Sequence, residues 1–157
     1  MTIRPMSLND AESISGWRYD PPYDVYNWPD WTDMVRDGYE FGDPALREQQ
    51  YASITDHADE LIGFVQFFPL QSVTRLGFGL RPDLCGLGLG VTFVMTIVSE
   101  AIGRTPDNEI DLEVLTWNDR AIRTYDRAGF QIEDTYMKPT PTGLKECHCM
   151  VYRERQL

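Results

Sequence analysis

Val114-Leu115-Thr116-Trp117-Asn118-Asp119-Arg120-Ala121-Ile122-Arg123-Thr124-Tyr125-Asp126-Arg127-Ala128-Gly129-Phe130 reads as a strand end, a capped helix and the start of another strand. Asn118 is a good N-cap, and Asp119 places its charge against the positive end of the helix dipole. Ala121, Ile122, Tyr125 and Ala128 fall at i, i+1, i+4 and i+7, one face of an amphipathic helix. Gly129 stands where a left-handed residue ends a helix. A plain surface helix would satisfy all of this, so the segment gains meaning only from what precedes it.

Upstream, Cys85-Gly86-Leu87-Gly88-Leu89-Gly90 sets three glycines at alternate positions after Arg81-Pro82-Asp83. Glycine permits backbone angles and a closeness of approach that a Cβ forbids. The first amides of a helix lack intrahelical acceptors and sit at the positive end of its dipole. A glycine turn into the apolar segment Val91 to Ile102 therefore makes a cradle for a phosphate or pyrophosphate, or else a tight turn. A Rossmann dinucleotide site fails on spacing, since it wants Gly-x-Gly-x-x-Gly after the first strand.

Around these two segments the elements read as follows. Thr2–Pro5 is a short strand, and Asn9 caps a helix through Trp17. Trp17 to Trp28 is an aromatic stretch broken by Pro21 and Pro22, a loop or pair of short helical turns. Asp30–Arg36 forms a short helix ending near Gly38, and Ala45–Gln49 adds a turn. Gln50–Thr55, Leu61–Phe68 and Val73–Leu80 carry strand patterning, with His57–Glu60 turning between the first two. Gly90–Gly103 is a long apolar helix to be buried on a sheet. Ile110–Thr116 and Phe130–Met137 are strands, Asn118–Ala128 is the helix between them, and Glu146–Arg153 closes the chain after the turn Pro139–Gly143. The fold class is α+β, an antiparallel meander leading into a β-α-β-α-β half.

The 157 residues suit one domain spanning 1–157. A hydrophobic content of 42% and a charged content of 25% are ordinary for a globular protein. The apolar run Val91–Val98 is too short to span a membrane, and the N-terminus lacks a signal-peptide core, so the expected location is cytoplasmic. The net charge of −11 argues against nucleic acid and suits a cationic small molecule or basic peptide. Cys147-His148-Cys149 lacks a second ligand pair, and alternation splits it across two faces, so it reads as buried thiols with no metal.

Taken together, the glycine turn and the Asn118–Phe130 segment resemble the GNAT superfamily of acetyl-CoA-dependent N-acetyltransferases. Its second pattern, Asn-x-x-Ala-x-x-x-Tyr-x-x-x-Gly-Phe, is complete at Asn118, Ala121, Tyr125, Gly129 and Phe130. Its first, Gln/Arg-x-x-Gly-x-Gly/Ala, is met at Gly88 and Gly90 but carries Cys85 where Gln or Arg is expected. The likeness is firm over Val73–Tyr136 and looser at Ile3-Arg4-Pro5 and Asp10-Ala11. It implies a mixed, mostly antiparallel central sheet flanked by helices. It also implies that the Phe78-Gly79-Leu80 backbone pairs with the pantetheine arm of acetyl-CoA. The amides of Gly86, Leu87, Gly88, Leu89, Gly90 and Val91 would hold the pyrophosphate. Asn118 would lie near the pantetheine and Tyr125 near the sulfur, with a slot between the strands at Leu80 and Val114.

Acetylating an amine requires a base for its proton and an acid for the departing thiolate. Glu113, in Leu112-Glu113-Val114, resembles the base of ribosomal-protein alanine N-acetyltransferases; the alternative is an exposed strand face or an ion pair with Arg75 or Arg120. Tyr125 is the candidate acid, with a packed core tyrosine as the alternative. Trp17, Tyr19, Tyr23, Tyr26 and Trp28, beside Asp20, Asp24 and Asp30, form either an amine-binding surface or a satellite core beneath a long loop. The expected function is transfer of an acetyl group to a primary amine of a small molecule or peptide N-terminus, by a monomer or homodimer. The alternative is an acyl-CoA sensor without turnover.

Overall fold

The computed structural model describes residues 1–154. The chain divides into two compact units, one of Met1–Gln66 with Phe78–Leu89, the other of Phe67–Gly77 with the chain from Gly90 onward. In the first unit, β1 (Thr2–Pro5) pairs antiparallel with β2 (Tyr51–Thr55), and β2 with the first part of β3 (Leu61–Leu70). Helix α1 (Leu8–Ser15) starts at Ser7, two residues before the expected cap at Asn9. The reason is a capping box: Ser7 Oγ accepts from the Asp10 amide, and the Asp10 carboxylate accepts from the Ser7 amide. Asp10 is buried, and Ser53 and Arg4 also donate to it. Burial raises its pKa, and these donors more than offset that, holding the carboxyl below the usual range.

Helices α2 (Trp31–Asp37) and α3 (Pro44–Gln50) follow, with short 3-10 turns at Tyr23–Tyr26 and Glu40–Gly42. The core gathers Met6, Ala11, Ile14, Met34, Phe41, Tyr51 and Phe64, with Trp17, Trp28 and Trp31 packed against it. Gly42 has no room for a side chain, since a Cβ there would lie 2.4 Å from the Met34 carbonyl oxygen.

In the second unit, the Val73–Leu76 part of β4 (Val73–Leu80) runs parallel to β5 (Glu109–Leu115), and α4 (Gly90–Arg104) connects the two strands. A parallel pair requires such a crossover. Helix α5 (Asp119–Ala128) leads to β6 (Phe130–Thr140), which pairs antiparallel with β7 (Gly143–Tyr152), itself antiparallel to β5. The β6–β7 hairpin is longer than the sequence suggested. Pro139 and Thr140 remain in the ladder opposite Leu144 and Gly143, so the turn shrinks to Pro141-Thr142. Helix α4 buries one stripe, Phe93, Val94, Ile97, Val98 and Ala101, while Met95 and Ile102 are exposed. It therefore covers a core on one side instead of being buried all round. The seven strands follow the order β1-β2-β3-β4-β5-β7-β6, a mixed and mostly antiparallel sheet. Among the described residues, no helix is long and apolar enough to cross a membrane.

Candidate active site

A 3-10 turn at Pro82–Leu84 delivers the chain to the glycine run. Gly86 and Gly88 take φ of +77° and +81°, which only glycine adopts freely, and a Cβ on either would meet nothing within 4 Å. These glycines answer to conformation, and their Cα positions face open space. Gly90 differs: a Cβ there would lie 2.9 Å from the Thr124 methyl, so α4 begins in close contact with α5. The amides of the first turn of α4 lack intrahelical acceptors and sit at its positive end. Such a turn fits an anion held by backbone.

No side chain of the loop adds positive charge. Cys85 Sγ points back to the Leu80 and Arg81 carbonyls at 3.8 and 3.7 Å. Arg81 is engaged by Asp83 at 2.7 Å and donates to the Leu61 carbonyl at 2.8 Å. Gly86→Ala and Gly88→Ala each force a Cβ into the left-handed region at about 1–2 kcal/mol. Each is expected to weaken CoA binding about tenfold in calorimetry, whereas Gly103→Ala, in a helix with open space, leaves it unchanged.

Of the aromatic residues singled out above, Trp17, Tyr19 and Trp28 gather around Phe64 or the strand end beside it. Trp17 lies 6.4 Å from the Phe64 ring, and Trp28 stands edge-on to Phe41 at 4.7 Å and to Phe64 at 5.9 Å. The Tyr19 hydroxyl donates to the Leu80 carbonyl at 2.7 Å, and its amide donates to Asn27 Oδ1 at 2.8 Å. Burial, with the nearby Cys85, pushes that hydroxyl above the usual tyrosine range. Gly79 lies beneath this group, since a Cβ would come within 2.6 Å of the Phe64 ring and 3.2 Å of the Tyr19 oxygen. Tyr23 and Tyr26 lie on the 3-10 turn, with Tyr26 exposed. The geometry of Trp17 and Trp28 is that of the satellite core.

In the second unit, alternation along β5 puts Asp111 and Glu113 on the face opposite Ile110, Leu112 and Val114. Glu113 is only 14% exposed at its side chain and has both carboxylate oxygens occupied. Tyr136 donates to Oε2 at 2.5 Å, Lys138 donates to Oε1 at 2.7 Å, and Arg75 lies 3.5 Å from Oε1. Burial raises the carboxyl pKa, but the Lys138 and Tyr136 hydrogen bonds and the two cations outweigh it and hold it below the usual glutamate range. A base with both oxygens taken and a lowered proton affinity is a poor one, so the geometry favours the ion-pair alternative, with Arg75 as an arginine beside it.

Tyr136 and Lys138 were not anticipated. Their signal is the hairpin register, which sets Tyr136 opposite Cys147 and Cys149 opposite Glu113. Glu113→Gln is expected to lower stability by about 1 kcal/mol at pH 7 and kcat/KM by less than tenfold. The depressed carboxyl contributes stability above its unfolded pKa and loses it as pH falls through the folded value. The two melting temperatures should therefore converge in acid. A hundredfold fall in kcat/KM would restore the base.

Cys147 is buried and Cys149 half-buried, both free. Burial and then the Glu113 charge raise the Cys147 thiol; burial and then Asp111 push Cys149 up to about 11. Neither is a ready nucleophile. His148 Nδ1 shares a hydrogen bond with Thr135 Oγ1 at 2.7 Å. Among the described residues, no group of three or more His, Cys, Asp or Glu is set to hold a metal.

Asn118 is buried, and its side chain accepts from the Ala121 amide at 3.3 Å, starting α5. Tyr125, two turns further on, is half-buried with its ring 6.4 Å from that of Phe130.

Comparison with solved structures gives spermidine N-acetyltransferase from Vibrio cholerae in complex with CoA and spermine, at 16% identity and a TM-score of 0.76, covering 96% of this chain and 93% of that one. A spermidine N-acetyltransferase chimera from Vibrio cholerae and hSSAT matches at 16% identity and a TM-score of 0.74, covering 97% and 95%. The Vibrio cholerae enzyme in complex with manganese ions matches at 16% identity and a TM-score of 0.70, covering 96% and 91%. At these identities the likeness shows a shared fold. The family profile described as Acetyltransferase (GNAT) family matches residues 10–130, which contain both the glycine turn and the Asn118–Phe130 helix, and the chain belongs to that family.

Proposed function

We propose that this chain transfers the acetyl group of acetyl-CoA to a primary amine by direct attack in a ternary complex. The observation that carries the reading is the Gly86–Gly88 turn, which opens α4 before unfilled space in a chain of this family. Acetyl-CoA, when bound, supplies an activated thioester. The amides of Gly86–Val91 would hold its pyrophosphate, the Phe78–Leu80 backbone and Asn118 would orient the pantetheine arm, and Tyr125 would give its hydroxyl proton to the thiolate sulfur as the carbon–sulfur bond breaks and regain one from water. Because the Glu113 oxygens are occupied, the amine proton leaves to water. The raised thiols of Cys147 and Cys149 favour direct attack over an acetylated cysteine.

The acceptor is a small cationic amine. The first unit carries fourteen acidic and five basic side chains, so −9 of the −11 charge resides there. Such a field concentrates cations before binding. The aromatic and acidic stretch from Trp17 to Asp30 meets the amine through its exposed members, Tyr26, Asp20 and Asp24.

Release of CoA thiol from acetyl-CoA, followed across polyamines, amino acids, aminoglycosides and peptides, tests the assignment. Release should depend on the amine and be strongest for small polycations. A second reading, acyl-CoA binding without turnover, is favoured by the loop's lack of basic side chains. It predicts binding with no release for any amine.

A further inference from the structure

At the end of β4 the Arg81 amide donates to the Ile62 carbonyl of β3 at 2.8 Å. In a planar trans peptide the N–H and C=O point opposite ways, so the Leu80 carbonyl is turned to the edge of β4 away from β3. A strand residue turns its own N–H and C=O to one edge, so the Leu80 amide faces the same way. This is the stretch whose backbone, on the reading above, would orient the pantetheine arm.

The chain itself satisfies that carbonyl. Tyr19 Oη donates to it at 2.7 Å, and Cys85 Sγ approaches it at 3.8 Å. A carbonyl oxygen takes two donors, so what Leu80 offers a ligand is its N–H. The hydroxyl is held in place from two sides. The Tyr19 amide donates to Asn27 Oδ1 at 2.8 Å, which fixes the loop that carries it. Gly79 leaves the path bare: a Cβ there would lie 3.2 Å from the Tyr19 oxygen and 2.6 Å from the Phe64 ring. All of these residues belong to the first unit.

We infer that Tyr19 is a positioning residue for the pantetheine arm: by closing the Leu80 carbonyl, it holds the end of β4 extended and presents the Leu80 N–H to an amide oxygen of the ligand. The inference rests on the reading that this chain takes acetyl-CoA. Tyr19 thereby serves the acyl donor and not the amine.

Calorimetric affinities for CoA and for adenosine 3′-phosphate 5′-diphosphate, the same nucleotide without the pantetheine arm, test it. The wild type, Y19F and N27A are compared, each shown to be folded by thermal denaturation. Phenylalanine keeps the ring over Gly79 and removes only the hydroxyl, whereas alanine at position 27 keeps the hydroxyl and releases the Tyr19 amide. Y19F should weaken CoA binding about five- to tenfold and N27A about threefold, the range of one hydrogen bond, with the nucleotide unchanged in both. Equal losses for the two ligands in either variant, or a CoA affinity that either leaves unchanged, would make Tyr19 a packing residue and overturn the inference. Tighter CoA binding by Y19F would overturn it too, since the hydroxyl would then compete with the ligand for the Leu80 carbonyl. Each of these results leaves the acetyl-CoA reading standing. Failure of the wild type to bind CoA would overturn both readings.

Discussion

Tyr125→Phe is expected to lower kcat about 10²- to 10³-fold, the range of a lost general acid, with KM for acetyl-CoA nearly unchanged. The phenyl ring keeps the packing on Phe130, whose centroid lies 6.4 Å away, so the melting temperature should move little. The variant removes only the hydroxyl, and with it the proton that is proposed to neutralise the thiolate. A kcat within threefold of wild type would reduce Tyr125 to a packing residue.

Trp28→Ala carries the largest expected effect on stability. Trp28 is set into the first unit's core through Phe41 at 4.7 Å, Phe64 at 5.9 Å and Tyr39 at 6.2 Å. Truncating an aromatic in such a place costs about 3–5 kcal/mol, cavity included. For a chain of this size that is a fall of roughly 10 °C in melting temperature. Trp28→Phe should recover about half of it. A melting temperature unchanged in Trp28→Ala, together with a raised KM for the amine, would instead make Trp28 part of the acceptor surface.

The second unit was the more legible from sequence, because its cues are local. Asn118 and Gly129 mark the two ends of α5, and the structure finds them capping it as read, with Asp119 in its first turn. The glycine run showed where α4 starts. It did not show that Gly90 is required by Thr124, which is separated from it by 34 positions and meets it only through helix packing.

Glu113 shows the limit more sharply. Its position on a strand was readable, and Arg75 was named as a possible partner. Its occupancy by Tyr136 and Lys138 depends on hairpin register, which a β-bulge between Ile132 and Asp134 shifts. The aromatic stretch was read as a cluster, but whether it faces ligand or core depends on Phe41 and Phe64, which no local pattern connects to Trp28. At the first helix the nearer candidate, Asn9, lost to Ser7 although Glu12 stands three residues after it, because the box is closed between Ser7 and Asp10.

The central claim is catalytic acetyl transfer to an amine, and its most direct measurement is the stoichiometry between CoA thiol released and acetyl groups found on the amine by mass spectrometry. The account predicts one acetylated amine for each thiol released, with none on the protein and none without an amine. Tight acetyl-CoA binding with no thiol released above background for any amine, or acetyl groups accumulating on a cysteine of the chain, would contradict it.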